Sequence, residues 1–300
     1  MKKIFLTYSL SIFYTVFLLA QTATKDTFLF SSTPWKTTDI GNGITWQHYH
    51  FKDKQLFNAN ENVHILRLKN KSKKAQLAFA SAGDSLVLSS ELARQSNALA
   101  AINGSFFDVK NGGSVDFIKI DGQILDTIII NGKKLAGHQQ AAIVIKRNRM
   151  SIVKARDSID FQWVTKLKYK DVMVTGPLLI WEGKVVPLSK SAFNDNRHPR
   201  TCACVTNKND VILMTVDGRT AESYGVSLPE LTILLQQLNC KNAINLDGGG
   251  STTMWINPSN SLKEYNTEGV GVVNMPCDNK KFDHEGERKV SNILILKKRQ

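Results

Sequence analysis

Short apolar runs that end in turn residues make up most of the chain, and they predict strands joined by tight turns. Residues 63–68 and 211–216 are rich in the β-branched and aliphatic side chains typical of strands. The dipeptides Asp121-Gly122, Asn131-Gly132 and Glu182-Gly183 each predict the tip of a β-hairpin. The chain is therefore expected to be rich in hairpins.

Two segments have the spacing of an amphipathic helix. The clearer one begins at Ser227, where Ser227 and Glu230 have the spacing of a capping box and Pro229 lies in the first turn. Its apolar stripe consists of Leu231, Leu234, Leu235 and Leu238. Residues 89–100 predict a second helix, capped by Ser89 or Ser90. The hairpins and the two helices together predict an α+β fold with a mixed β-sheet core and flanking helices.

The segment from Ala243 to Asn257 reads A-I-N-L-D-G-G-G-S-T-T-M-W-I-N and has the most informative pattern. Alternation along its first strand places Asn245 and Asp247 on one face. The three glycines would let a ligand approach the backbone closely. The same residues also suit a hairpin turn, which is the competing interpretation. The glycine spacing fits neither a P-loop nor the dinucleotide-binding fingerprint.

Three other polar loops have the same character, and each lies at the end of an apolar strand. They are the loops 103–107, 198–201 and 217–219, which join 247–251 as the fourth member of the group. Any one of them could be an ordinary turn. Four such loops at strand ends favour a ligand site, because ligands gather at strand ends in many sheet proteins.

The first 23 residues predict a secretory signal peptide, with basic Lys2 and Lys3 before an apolar run and small residues near Ala20 and Ala23. A membrane anchor is disfavoured because the run contains several hydroxyl groups and no basic cluster follows it directly. Residues 24–300 contain no linker-like stretch and are expected to form one domain. The protein is thus expected in the periplasm or outside the cell, without stable insertion in a membrane.

The net charge of +13, or +11 without Lys2 and Lys3, favours an anionic partner such as a phosphorylated or acidic glycan, or a lipid surface. Nucleic acid is not expected, since the export signal argues against it and no binding motif is present. The charge clusters lie at 69–74, 146–149, 166–170, 280–281 and 297–299. Four cysteines, Cys202, Cys204, Cys240 and Cys277, leave open one disulfide with two thiols or two disulfides.

Beyond residue 100, the chain resembles the phosphodiester glycosidase family over about two thirds of its length. The motifs that carry the resemblance are I-N-G-S-F-F at 102–107, G-P-L-L-I at 176–180, H-P-R-T at 198–201, V-D-G-R at 216–219, S-L-P-E-L at 227–231, N-L-D-G-G-G-S-T-T at 245–253 and V-S-N-I-L-I-L at 290–296. The resemblance implies cleavage of the C1–O bond of a sugar-1-phosphodiester, giving free sugar and a phosphomonoester.

Under this hypothesis, Asp247 and Asp217 are the catalytic carboxylates, since a transition state resembling an oxocarbenium ion needs a carboxylate near C1. His198, Arg200 and Arg219 would hold the phosphate, or Arg200 would instead pair with Asp217 or Asp247. The expected substrate-binding residues are Asn103, His198, Arg200, Arg219, Asn245, Gly248, Gly249, Gly250, Ser251 and Thr252.

Two other functions fit the same residues. One is an exo-glycosidase that acts on a cell-surface polysaccharide without phosphate. The other is a non-catalytic protein that binds exopolysaccharide through exposed tryptophans. No cofactor and no obligatory metal are expected, because no loop has the acidic density of a calcium site.

Overall fold

The computed structural model describes residues 25–126, 138–155, 162–259 and 271–299. The expected signal peptide and the Asn131-Gly132 turn lie outside the described residues. The helices are α1 (residues 25–31), α2 (Ser89–Gln95), α3 (Gln162–Thr165), α4 (Ala192–Asp195) and α5 (Leu228–Gln237), with a 3-10 turn at Gly249–Ser251. The strands are β1 (Lys36–Asp39), β2 (Ile44–Leu56), β3 (Ala59–Lys69), β4 (Ala75–Ser81), β5 (Val87–Leu88), β6 (Ala100–Asn103), β7 (Ile118–Ile120), β8 (Gln123–Asp126), β9 (Ala141–Lys146), β10 (Arg149–Lys154), β11 (Asp171–Thr175), β12 (Leu178–Trp181), β13 (Lys184–Val185), β14 (Arg200–Thr206), β15 (Asp210–Val216), β16 (Cys240–Asn245), β17 (Met254–Ile256), β18 (Lys289–Val290) and β19 (Asn292–Lys298).

Three larger sheets and one small sheet organise the described residues. The largest has eight strands in the order β1-β2-β3-β15-β14-β16-β12-β13. A five-stranded sheet has the order β10-β9-β11-β7-β8, and a four-stranded sheet has the order β17-β6-β19-β4. Strands β18 and β5 form a separate pair. Strands thus dominate this α+β fold.

The expectation of a mixed sheet is wrong for the described residues, since all ladders between their named strands are antiparallel. Short turns join six of these fifteen pairs, and a short turn can only give antiparallel strands. The hairpins expected at Asp121-Gly122 and Glu182-Gly183 are present as β7–β8 and β12–β13. Helix α5 carries the chain from β15 across β14 to β16.

The two faces of the eight-stranded sheet pack on different partners, as strand alternation requires. Leu213 belongs to the cluster that also contains Ile143 and Leu294 of the other two large sheets. The next residue, Met214, packs in the cluster that contains Leu231 of α5. The sheet is therefore buried on both faces, which is why residues 210–216 are buried without a break.

Helix α5 begins as expected from the sequence. Ser227 accepts a hydrogen bond from the backbone N–H of Glu230, and the Glu230 side chain accepts from the Ser227 N–H. Helix α2 is shorter than expected and ends at Gln95, because the chain turns at Asn97 with a φ of 52°. Neither helix, nor any other in the described ranges, is long and apolar enough to cross a membrane.

The cysteines form one disulfide and two thiols. Cys204 of β14 is bonded to Cys240 at the start of β16, with their Cα atoms 5.8 Å apart. Cys202 and Cys277 are buried free thiols. The first of the two arrangements left open by the sequence is therefore the one present.

Candidate active site

Four polar loops meet at one end of the central strands. Strands β15 and β16 are both antiparallel to β14, which lies between them. The carboxyl ends of β15 and β16 therefore lie beside the start of β14. Gly249 donates its backbone N–H to Pro199 O at 2.9 Å, and Asp247 donates its own to Gly104 O at 3.0 Å. The structure thus brings together loops 103–107, 198–201, 217–219 and 247–251.

Two fully buried asparagines fix these strand ends. Asn103 Nδ2 donates to Asp247 O at 2.7 Å, and Asn103 Oδ1 accepts from Thr201 Oγ1 at 2.7 Å. Asn245 Nδ2 donates to Gly176 O at 3.0 Å and to Leu246 O at 2.6 Å. Both side chains hold backbone rather than face solvent, so the geometry favours orientation of the Asp247 segment over contact with sugar hydroxyls.

Asp247 is a partly exposed carboxylate in an unfavourable setting for its charge. Burial raises the pKa of Asp247 to about 6, and the charge of Asp116 adds to the rise. The Ser251 hydroxyl, the Gly248 N–H and Arg288 act in the opposite direction. Asp247 Oδ1 accepts the Gly248 N–H at 2.9 Å. A carboxyl group with a raised pKa at a place where several loops meet is typical of an active site.

Asp217, expected as the second catalytic carboxylate, occupies a different kind of position. It is 1% exposed, and its oxygens accept from Asn62 Nδ2 at 2.7 Å, Asn274 Nδ2 at 2.7 Å and Met275 N at 2.9 Å. Asn274 Nδ2 also donates to Thr252 O at 3.0 Å. Through Asn274, the carboxylate therefore supports residues 248–252, called here the glycine segment. Its burial separates it from solvent.

The three expected phosphate ligands also differ in accessibility. Arg200 is 1% exposed, and its guanidinium donates to the carbonyl oxygens of Val226 at 2.9 Å, Phe193 at 2.6 Å and Asn196 at 3.1 Å. These bonds fix the loop before β14 and use guanidinium N–H groups that the expected phosphate contact would need. They also replace the alternative ion pair with Asp217 or Asp247. Burial, and then Arg219, lowers the pKa of Arg200 to about 10.

Arg219 is exposed and lies directly on the glycine segment. Its guanidinium packs so closely on Gly249 that a Cβ there would lie 2.9 Å from Nη2. Among the described residues no carboxylate forms an ion pair with Arg219. His198 is partly exposed, and its pKa is lowered by burial and then by Arg200 and Arg219. Cations that repel one another in this way leave the site favourable for an anion.

The glycine segment forms a 3-10 turn rather than an open cradle of N–H groups. Gly248 and Gly249 already donate their N–H groups to Asp247 Oδ1 and Pro199 O. Gly249 needs its left-handed φ of 61°, and Gly250 lies against the Asp278–Arg288 ion pair, where a side chain has no room. The Ser251 and Thr252 side chains are buried. The predicted backbone contact with phosphate is thus restricted by these internal bonds.

Sequence reasoning missed a second carboxylate near Asp247. Asp116 is fully buried, and it accepts from His138 Nε2 at 3.0 Å and Gln139 Nε2 at 2.8 Å. Asp116 Oδ2 accepts the Phe106 N–H at 3.3 Å and Asp247 N donates to Gly104 O at 3.0 Å, so both aspartates contact the 103–107 loop. The only signal in the sequence is its place soon after the 103–107 loop, because His138 is too distant along the chain to mark the pair.

A cavity of about 490 Å³, within the usual size range of ligand pockets, is lined by Phe106 of the 103–107 loop and by His138, whereas Asp247 and Arg219 do not line it. Phe106, His138 and Phe193 form the aromatic part of its lining, and the Phe106 ring lies 4.6 Å from that of His138 and 6.0 Å from that of Phe193. Among the described residues, no group of three or more His, Cys, Asp or Glu side chains could hold a metal ion. The cavity thus combines aromatic side chains with polar ones such as Gln140 and Asn194.

A model of the phosphodiester glycosidase family matches residues 96–297, which include every residue of the expected site. The chain belongs to the phosphodiester glycosidase family. Its sequence is 27% identical over 183 residues to the bovine N-acetylglucosamine-1-phosphodiester alpha-N-acetylglucosaminidase, a match that covers 56% of this chain and 33% of the relative. The mouse enzyme is 27% identical over 172 residues, covering 52% of this chain and 31% of that protein.

Solved structures of family-like proteins share the fold. The zebrafish N-acetylglucosamine-1-phosphodiester alpha-N-acetylglucosaminidase catalytic domain, auto-inhibited by its pro-peptide, aligns with a TM-score of 0.65 at 18% identity, covering 89% of each chain. A hypothetical protein from Synechocystis aligns with a TM-score of 0.63 at 17% identity, covering 89% of this chain and 64% of that one. The chain spans about a third of the length of the two mammalian relatives.

Proposed function

We propose that this phosphodiester glycosidase hydrolyses the C1–O bond of a sugar-1-phosphodiester to give a free sugar and a phosphomonoester. The observation that carries the proposal is that a carboxylate and a cation both lie at residues 247–249. Asp247 presents a partly exposed carboxylate, while the exposed Arg219 guanidinium lies on Gly249, two residues further along. One substrate that combines a sugar C1 with a phosphodiester could contact both.

In this proposal Asp247 faces C1 and stabilises the positive charge that develops there. It must be ionised to do so, and a pKa of about 6 means that it is ionised above that pH. Arg219 binds the phosphate and becomes more effective as negative charge grows on the departing oxygen. A phosphate is already a fair leaving group, so strong protonation of that oxygen is less important than for an alkyl glycoside.

The cavity would receive another part of the substrate, because Phe106 lines it and belongs to the loop whose Gly104 O accepts the Asp247 N–H. His138 is held by Asp116 and lines the cavity, so it can contact a substrate hydroxyl or phosphate oxygen. Phe106 and Phe193 provide apolar walls suited to the face of a sugar ring. Asp217, Arg200, Asn103 and Asn245 act as positioning residues that hold the loops, as their buried hydrogen bonds require.

The test is hydrolysis of a panel of hexose-1-phosphate methyl diesters in water enriched in ¹⁸O, with products weighed by mass spectrometry. We expect ¹⁸O in the sugar, turnover that rises with pH through about 6, and loss of turnover in Asp247→Asn. Glu91→Gln is the control and should retain activity, because Glu91 is an exposed carboxylate on α2 that accepts a hydrogen bond from Gln95 of the same helix.

Three results would contradict the proposal. Appearance of ¹⁸O in methyl phosphate would mean cleavage of the P–O bond. Hydrolysis of neutral hexosides that inorganic phosphate does not inhibit would indicate an ordinary exo-glycosidase. Glycan binding without any product would indicate a non-catalytic protein.

We further propose that the protein works outside the cytoplasm. The pattern of residues 1–23 supports export, and the Cys204–Cys240 disulfide is of a kind that persists in oxidising compartments. Mass spectrometry of protein secreted or released from the periplasm should find a mature chain that begins near residue 24. A full-length chain confined to the cytoplasm would contradict export.

A further inference from the structure

Most of the excess positive charge of the chain lies on one surface. Four segments, 67–74, 146–149, 207–210 and 297–299, together contain twelve Lys or Arg residues and a single carboxylate, Asp210. The whole chain carries a net charge of +13. These segments therefore account for nearly all of the imbalance, although they make up a small part of the sequence.

The four segments, called here the basic end, are held together by hydrogen bonds. Asn148 Nδ2 donates to both Ser72 O and Ala75 O at 2.8 Å. Arg299 N donates to Lys74 O at 3.0 Å, and Asn70 N donates to Asn209 O at 3.1 Å. The turns β3–β4, β9–β10 and β14–β15 and the end of β19 thus form one continuous surface.

The basic end is remote from the candidate active site. Strand β15 begins at the basic end with Asp210 and reaches the site at Asp217. At a rise of about 3.3 Å per residue, the two ends are about 23 Å apart. Strand β16 runs in the same direction as β15, and β14 runs in the opposite direction between them. The phosphate-binding residues of the active site therefore do not account for this charge.

Part of the basic end is a groove. A cavity of about 270 Å³ is lined by Lys71, Lys146, Arg147, Arg149, Ser151, Tyr169 and Val144. The four cations are exposed, and none pairs with a carboxylate within the ranges that the structure describes. By contrast, Lys69 and Arg67 lie 2.6 Å and 3.6 Å from Asp210 oxygens. The groove thus concentrates cations that have no internal counter-charge there.

We infer that this groove, formed by Lys71, Lys146, Arg147 and Arg149, is a second binding site that holds an anionic polysaccharide chain. The cations supply charge for carboxylate or phosphate groups along the polymer. Tyr169, whose ring lies 6.0 Å from Lys146 Nζ, and the Ser151 hydroxyl suit the faces and hydroxyl groups of sugars. The inference stands whether or not the catalytic proposal is correct.

Two other anionic partners fit the groove less well. A lipid surface would favour large exposed apolar side chains beside the cations. Those found on the described residues lie elsewhere in the chain, at Phe28, Val109, Val115, Ile124, Leu125, Val185, Phe193 and Tyr224. Single-stranded nucleic acid would need several aromatic stacking platforms, whereas Tyr169 is the one aromatic side chain among the described residues that line the groove.

The test uses the mature chain and the triple variant Lys146→Gln, Arg147→Gln, Arg149→Gln. Its matched control is Lys52→Gln, Lys110→Gln, Lys281→Gln, which removes the same charge from exposed sites away from the basic end. Binding to polygalacturonate is measured by titration calorimetry at 50 and 300 mM salt. Neutral dextran, phosphatidylglycerol vesicles and duplex DNA serve as the comparison probes.

We expect wild type to bind polygalacturonate with an affinity that falls at high salt, and not to bind dextran. The groove variant should lose affinity about tenfold or more, while the control changes less than about twofold. Turnover of a small soluble substrate should be equal in all three proteins. Equal losses in both triple variants would show that net charge alone attracts the polymer and would overturn the inference. Binding to vesicles or DNA without binding to polygalacturonate would overturn it as well.

Discussion

Replacement of Asp247 by Asn should stabilise the protein at neutral pH while it removes activity. Burial raises the pKa of Asp247 from 3.8 to about 6, so the folded state disfavours the ionised carboxylate. That difference corresponds to about 3 kcal/mol at a pH above both values. Asn is neutral and nearly the same shape, and its oxygen can still accept the Gly248 N–H. The variant should therefore gain up to about 3 kcal/mol at pH 7.

The dependence of the free energy of unfolding on pH checks the expected sign of the Asp247→Asn effect. Folding takes up a proton at Asp247 when the pH lies between 3.8 and about 6, because the folded pKa is the higher one. The cost of the ionised group is thus absent below pH 3.8 and complete above about pH 6. The advantage of Asp247→Asn should be full at pH 7, shrink as the pH falls through about 6, and vanish near pH 3.8.

Asp217→Asn is the matched control, since it makes the same change with the opposite expected result. The Asp217 oxygens accept three hydrogen bonds from Asn62, Asn274 and Met275 in a buried position. The amide of an Asn would point its own N–H groups at one of these donors. Loss of hydrogen bonds to a buried charge should cost roughly 3 kcal/mol at pH 7.

The measurement is urea unfolding of wild type and both variants at pH 7 and pH 4.5, with sugar release recorded at pH 7. Opposite shifts of the two midpoints at pH 7, with the Asp247→Asn shift reduced at pH 4.5, would support the reasoning. An Asp247→Asn variant that is destabilised, or whose advantage does not change with pH, would refute it.

Two further changes test the close packing and the disulfide. Gly250→Ala should lower stability by about 1–3 kcal/mol and remove most of the turnover, because its Cβ would meet the Asp278–Arg288 pair. Gly183→Ala is the control, since its Cβ would meet no other atom and its strain comes only from the φ of 77°. It should lower stability but keep turnover. Both are read by unfolding midpoints and initial rates, and equal turnover in the two variants would contradict the steric argument. Cys204→Ser with Cys240→Ser should lower stability by about 4 kcal/mol, given the sequence separation of 36. An unchanged melting temperature would contradict this estimate.

The parts of the fold that sequence could predict are those fixed by local chemistry. The Ser227 capping box, the hairpin at Glu182-Gly183 and the strand at 211–216 each depend on neighbours in sequence, and the structure confirms all three. The meeting of the four loops also followed from their common place at strand ends. Whether strands distant in sequence, such as β3 and β15, pair in parallel or antiparallel could not be predicted, because no local pattern says which strands become neighbours.

Side-chain burial explains where the expected site roles and the structure diverge. Arg200 and Arg219 look equivalent in sequence. In the structure, the buried Arg200 donates hydrogen bonds to three carbonyl oxygens, whereas Arg219 is exposed. Asp217 and Asp247 each end an apolar strand, but only Asp217 is surrounded by donors. Asp116 was missed because its partner His138 is adjacent only in the fold. No local pattern encodes these differences.

The candidate site contains two unfavourable electrostatic interactions. Asp247 is held where burial disfavours its charge, and the charge of Arg219 disfavours the protonated forms of His198 and Arg200. Both interactions lower the stability of the folded state. An anion bound at Arg219 would reduce the repulsion among the cations, and a positive charge developing at C1 would favour the ionised form of Asp247. Binding of the proposed substrate, a sugar-1-phosphodiester, would relieve both of these costs, whereas a neutral glycoside or a free phosphate would relieve only one of them.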